Sequence, residues 1–223
     1  MGQLIELKTK DGKTIEAYRA EPAGKARGAL VVIQEIWGIN KHIRSVADGY
    51  AADGYLAIAP ALFDRIEPGV KMDEYTPETM QRGFGLMQKV DMDKALLDVG
   101  AAVQQVASVG KVGIVGYCLG GRVAWMSAAH VDGLSAAVAY YGGGVPGLAA
   151  EKPRCPVILH FGKKDQHIPL DSVEAFKKVH SELPVYLYDA DHGFNCNDRG
   201  SYDAAAAKLA RERTVEFLRK NIG

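Results

Sequence analysis

The sequence predicts an α/β fold: a mostly parallel sheet with helices on both faces and an antiparallel hairpin at its N-terminal end. Short strand-like runs alternate with stretches of helical apolar spacing, as crossover connections between parallel strands require. Residues 28–34 form a continuous, largely β-branched run of the kind buried on both faces of a sheet. Asp11-Gly12 separates two short alternating segments, which marks a tight hairpin turn.

Each element has a local reason. The hairpin is expected over residues 5–9 and 14–19. After the strand at 28–34, Asn40 can cap a helix running to about residue 53, because its side chain accepts from the free N–H groups of a first turn. Residues 55–59 read as the next strand, stopped by Pro60. From about residue 62 to 76 the chain is rich in Pro, Gly and charge, so a surface loop is expected. Helical spacing returns at 77–89 and 92–107, then a strand at 111–117 runs into a helix at 119–129. Further strands are expected at 136–141, 157–161 and 185–188, with helices at 170–181 and 202–221. Residues 204–207 are all alanine, a good helix former, and belong to a packed C-terminal helix. No repeat or linker divides the chain, so residues 1–223 are expected to form one domain.

Composition narrows the function classes. Lys plus Arg and Asp plus Glu number 27 each, which gives no electrostatic footprint for nucleic acid or a membrane surface. No basic segment leads into an apolar run at the N-terminus, and no run approaches a membrane span. Three cysteines without a CxxC pair argue against a disulfide framework and a zinc site, and suit a reducing, cytoplasmic compartment. Neither metal nor cofactor is expected.

The most specific motif is Gly116-Tyr117-Cys118-Leu119-Gly120-Gly121, set between a strand and a helix. That context fits the nucleophile elbow of α/β-hydrolases, where glycines two residues to either side of the nucleophile remove Cβ atoms that would strike the backbone. The bend exposes the side chain, and the Leu119 N–H at the helix N-terminus can bind an oxyanion. Cysteine stands where serine is common, and its thiol is the easier group to ionise. Read alone, a cysteine here is also compatible with simple burial.

A thiol nucleophile needs a base and a group to orient it. His192, in Asp189-Ala-Asp-His-Gly-Phe194 after the strand at 185–188, is the best-placed of six histidines. Asp165 lies just past the strand at 157–161. Cys118, Asp165 and His192 thus stand in the chain order nucleophile, acid, base, at the edge of the sheet where sites gather. Asp189 and Asp191 are alternatives that would have to fold back on the ring. Glu35 ends the buried run at 28–34, where a carboxylate needs a partner. Its two roles, ion-paired carboxylate and controller of the thiol proton with Ile36 N–H completing an oxyanion hole, are compatible.

With these motifs the sequence resembles the dienelactone hydrolase (carboxymethylenebutenolidase) family. The resemblance runs from Gln34-Glu-Ile-Trp-Gly-Ile-Asn40 through the elbow, Tyr140-Tyr141-Gly142, Asp165 and His192-Gly193-Phe194 to Arg211-Glu212-Arg213-Thr214. It implies a Cys118–His192–Asp165 triad, a Glu35 that changes partner when substrate binds, and hydrolysis of a small lactone or ester through an acyl-enzyme. It further implies substrate contacts at Trp37, Tyr140 and Phe194, and arginines that hold a substrate carboxylate. Arg82 is the candidate for one of these. At the position expected for the other stands Cys196, a neutral pocket or packing residue rather than a second nucleophile, with Arg199 nearby reading as a solvated side chain. Competing readings are a broader carboxylesterase or thioesterase, and a non-catalytic ligand-binding or redox-sensing protein on the same scaffold.

Overall fold

The computed structural model describes residues 2–223. Its centre is an eight-stranded sheet in the order β1-β2-β4-β3-β5-β6-β7-β8. β1 (Gln3–Lys8) and β2 (Thr14–Ala20) form the expected antiparallel hairpin, and β2 lies antiparallel to β4 (Leu56–Pro60). From β4 onward every pairing is parallel: β3 (Ala29–Ile33), β5 (Val112–Tyr117), β6 (Leu134–Tyr140), β7 (Val157–Gly162) and β8 (Val185–Tyr188). β3, β4 and β5 are buried at every position, which accounts for their uninterrupted apolar character.

The helices form where the spacing places them. α1 (Lys41–Ala52) starts at Asn40, whose Oδ1 accepts from Ile43 N–H at 3.1 Å. α2 (Pro77–Met87) opens on a Thr76–Thr79 capping box, and α3 (Met92–Val106) on Asp91. α4 (Leu119–His130) follows the elbow, α5 (Leu170–Val179) follows β7, and α6 (Ala204–Ile222) closes the chain.

Two sequence expectations are corrected. Residues 62–76 are not a simple surface loop: a 3₁₀ turn over Leu62–Arg65 buries Leu62 and Phe63, and Val70 and Met72 are also buried. Apolar residues too few and too unevenly spaced to show a period anchor this segment to the core. Tyr140, expected at the substrate, instead joins a buried polar chain. Its hydroxyl shares a 2.7 Å hydrogen bond with Thr214 Oγ1, which lies 3.1 Å from His160 Nε2, while His160 Nδ1 lies 2.8 Å from the Tyr188 hydroxyl. Arg213 donates to that hydroxyl at 3.1 Å, so the motif around Thr214 fastens α6 to the sheet.

Candidate active site

The parallel strands end along one edge, and the loops leaving them build the site. Cys118 alone joins β5 to α4, with φ 55° and ψ −114°. For a residue with a Cβ this backbone costs about 1–3 kcal/mol, and the surrounding glycines permit it. A Cβ on Gly116 would strike the Gly120 carbonyl, one on Gly120 the Ile33 carbonyl, and one on Gly121 the Tyr140 carbonyl. Cys118 N–H donates to the Tyr140 carbonyl at 3.0 Å, and its own carbonyl accepts from Gly121 and Arg122 N–H at 3.0 and 3.3 Å. The thiol, 9% exposed as a residue, is held in the wall of a cavity of about 520 Å³.

Asp165 and His192 reach this cavity from β7 and β8. The Asp165 side chain is shielded from solvent; its Oδ1 accepts from His167 and Ile168 N–H at 2.8 and 3.1 Å. Its Oδ2 lies 2.7 Å from His192 Nδ1. That contact leaves Nε2 to face Cys118, whose sulfur is within hydrogen-bonding reach of the ring. Burial disfavours the charged ring, but the charge of Cys118 and the hydrogen bond to Asp165 outweigh it and raise the His192 pKa to about 10. Asp191 instead accepts from the His192 backbone N–H at 2.6 Å, and Asp189 pairs with Lys164 at 3.1 Å on the surface.

Glu35, 2% exposed, accepts from Arg199 Nη1 at 3.3 Å. Arg199 is therefore not solvated: its side chain is 14% exposed, lines the cavity and lies with its guanidinium carbon 5.0 Å from the Trp37 ring centroid. Ile36 and Leu119 line the same cavity, and neither backbone N–H donates to a protein acceptor among the described residues. Those two donors are free to receive an oxyanion.

The other expected substrate contacts divide. Trp37 lines the cavity, with its Nε1 donating to Thr79 Oγ1 at 3.3 Å. Arg82 is about half exposed, pairs with Glu67 and lies outside the cavity lining, because its helix turns that face to solvent. Phe194, like Tyr140, is fully buried outside the lining; it packs against Tyr141 and Tyr188. Tyr141, one residue along from Tyr140, packs edge-on against His192 with centroids 5.1 Å apart. Tyr141 lies just past the end of β6 with φ 35°, so the chain leaves the line of the strand between the two rings. The rest of the wall carries no sequence signal, notably Met80, Phe84, Met87 and Met92 from α2 and α3, together with Arg122. Apolar residues on amphipathic helices gave no sign of facing a ligand.

Cys196 is fully buried outside the lining; its thiol donates to the Tyr75 hydroxyl at 3.4 Å, and burial, with the nearby Glu35 charge, pushes its pKa up to about 12. It is a neutral packing residue, as expected. Glu35, His42 and Cys196 each bring one potential metal-ligand atom within 4.8 Å of the others. The carboxylate of that group already has the Arg199 guanidinium as its counter-ion.

A cysteine at a strained strand-to-helix bend, with a carboxylate-held imidazole arriving from later strands of a mostly parallel sheet, defines an α/β-hydrolase. The model of the Dienelactone hydrolase family matches residues 15–222. A carboxymethylenebutenolidase of Pseudomonas putida is 34% identical over 226 residues, covering 96% of this chain and 94% of its own. An Azospirillum brasilense protein is 36% identical over 231 residues, covering 98% and 99%. A crystal structure from Klebsiella pneumoniae superposes with a TM-score of 0.82 at 30% identity, covering 97% and 98%. The chain belongs to the dienelactone hydrolase family and is a hydrolase acting on ester or lactone bonds.

Proposed function

We infer that residues 1–223 act as one cytoplasmic domain that opens a small lactone or ester through an acyl-enzyme on Cys118. What carries this reading is the convergence of the Cys118 thiol and the His192–Asp165 pair on one cavity. The thiol gives its proton to His192 Nε2, and the sulfur adds to the acyl carbon. The carbonyl oxygen becomes an oxyanion on the N–H groups of Ile36 and Leu119, each worth about 2.7–4 kcal/mol in the transition state. The C–O bond then breaks, and His192 returns the proton to the departing oxygen. Water, deprotonated by His192, attacks the thioester and frees both the acid and the thiol.

Asp165 holds the ring with Nε2 toward the sulfur, which fixes both tautomer and direction. Glu35 governs the resting proton of the thiol, and Arg199 governs how far Glu35 is free to do so. The three cysteines are all unpaired, which suits a reducing compartment. Among the described residues no helix is long and apolar enough to cross a membrane.

Cys118→Ala tests the reading. Turnover of a neutral activated ester should fall by roughly 10⁴–10⁶-fold, with far-ultraviolet circular dichroism unchanged. A variant that keeps its shape and hydrolyses the ester at the wild-type rate refutes it.

A further inference from the structure

Three metal-ligating side chains converge outside the lining of the substrate cavity. Glu35 follows β3, His42 stands in the first turn of α1, and Cys196 lies in the loop after β8. Each brings one ligand atom within 4.8 Å of the other two, and all three residues are buried. Their hydrogen bonds run elsewhere: Cys196 donates to Tyr75 at 3.4 Å, and Glu35 accepts from Arg199 at 3.3 Å.

His42 supplies an independent sign of a ligand. It is 4% exposed, and among the described residues its Nε2 is shut off from solvent with no hydrogen-bond partner. A buried imidazole nitrogen without a partner is unfavourable, and a cation taking up its lone pair would relieve that cost. Glu35 can serve the same cation. Arg199 engages its Oε1, which leaves Oε2 for a second positive charge.

The donors select the ion. Thiolate, imidazole and carboxylate together suit zinc, whereas magnesium and calcium take oxygen ligands. Zinc bonds of about 2.0–2.3 Å place tetrahedral ligand atoms roughly 3.3–3.6 Å apart, so each side chain has to move inward by about 1 Å or less. The backbone that carries two of them is held locally. Asn40 caps α1 two residues before His42, and Cys196 N–H donates to the Gly193 carbonyl at 3.0 Å. The Cys196 thiol is neutral, with its pKa pushed up to about 12, so binding exchanges a proton for the metal. The S–H bond breaks, the sulfur–zinc bond forms, and the proton leaves to solvent. The Tyr75 hydroxyl, held by Asn40 Nδ2 at 2.9 Å, then turns its own proton onto the thiolate. A fourth position is left for water.

We propose that Glu35, His42 and Cys196 form a regulatory site for a zinc ion, whose binding inhibits the enzyme by holding Glu35. Glu35 governs the Cys118 proton, and the next residue, Ile36, offers an oxyanion N–H, so an ion on the carboxylate restrains both. The inhibition rests on the cysteine-hydrolase reading of the active site; the binding does not.

The test measures zinc binding by competition with a chromophoric chelator and uses cobalt to report the ligands. The wild type should take up one equivalent of zinc, and its cobalt form should show a thiolate-to-metal charge-transfer band. Cys118→Ala should keep both, because Cys118 is not a ligand. Cys196→Ser should lose the band. Both Cys196→Ser and His42→Gln, with circular dichroism unchanged, should weaken zinc binding by more than the roughly 10–100-fold that loss of an outer-shell partner costs. With a neutral ester, one equivalent of zinc should remove most of the wild-type activity, EDTA should restore it, and Cys196→Ser should resist the same dose. Equal zinc affinity in the wild type, Cys196→Ser and His42→Gln, or a charge-transfer band lost in Cys118→Ala instead, overturns the site. Binding at these residues with turnover unchanged overturns the inhibition. Hydrolysis that survives Cys118→Ala overturns the cysteine-hydrolase reading, and the binding result then stands or falls by itself.

Discussion

His160 and His192 occupy neighbouring positions in the sheet, one inside β7 and the other just beyond β8, and both are buried, at 0% and 7% exposure. Burial alone would treat them alike. Their pKa values move in opposite directions. Burial, with the nearby Arg213 charge, lowers His160 to about 3. His192 is raised to about 10, because the charges of Cys118 and Asp165 overcome the same desolvation. His160 has hydrogen-bond partners at both ring nitrogens, but they are the neutral hydroxyls of Tyr188 and Thr214. The difference teaches that satisfying a ring's hydrogen bonds does not make it a proton carrier; a facing negative charge does.

The strongest way to break this contrast is to remove one of those charges. Asp165→Asn should lower kcat for a neutral ester by about 10³–10⁴-fold, because the amide selects the wrong ring tautomer. Its His192 pKa, followed by NMR, should fall below the wild type's. The linkage sign is set by the raised folded value: the ring's contribution to stability is complete below the unfolded pKa of about 6.5 and is lost as pH rises through about 10. The stability gap between wild type and Asp165→Asn in urea should therefore narrow from pH 6 toward pH 10. Wild-type kcat in the variant would erase the distinction between the two histidines.

A smaller effect sharpens the other half. His160 has a depressed folded pKa, so its contribution is present above about 6.5 and lost as pH falls through about 3. His160→Gln keeps hydrogen-bonding capacity but cannot titrate. It should cost about 1–3 kcal/mol at pH 7.5 by urea unfolding, with the deficit shrinking as the pH approaches 4. A deficit that grows toward acid pH would contradict the assignment of a neutral ring.

Much of the site was legible because it depends on short-range rules. Of the elbow glycines, Gly116 is dictated by backbone within four residues of Cys118, while Gly120 and Gly121 meet the distant backbone of Ile33, Gln34, Tyr140 and Gly142 and are legible only as part of the motif. Asp165 and His192 could be placed because strand ends and chain order confine them to one edge. The illegible parts depend on direction or on distance in the chain. Arg199 reaches Glu35 across 164 residues, so no local pattern announces the pair. Arg82 lies in a correctly expected helix but on its solvent face, and Tyr140 ends its strand turned into a buried polar chain rather than the cavity wall. The segment at 62–76 hides its buried residues among prolines, glycines and charges.

The central claim is that the acyl group passes through the Cys118 sulfur. Rapid-quench intact-mass spectrometry of the enzyme mixed with 4-nitrophenyl acetate should show one acetyl adduct, mapped by proteolysis to the peptide containing Cys118, forming and decaying at rates consistent with turnover. Turnover with that sulfur never acylated, or with the adduct on Cys155 or Cys196 instead, would contradict it.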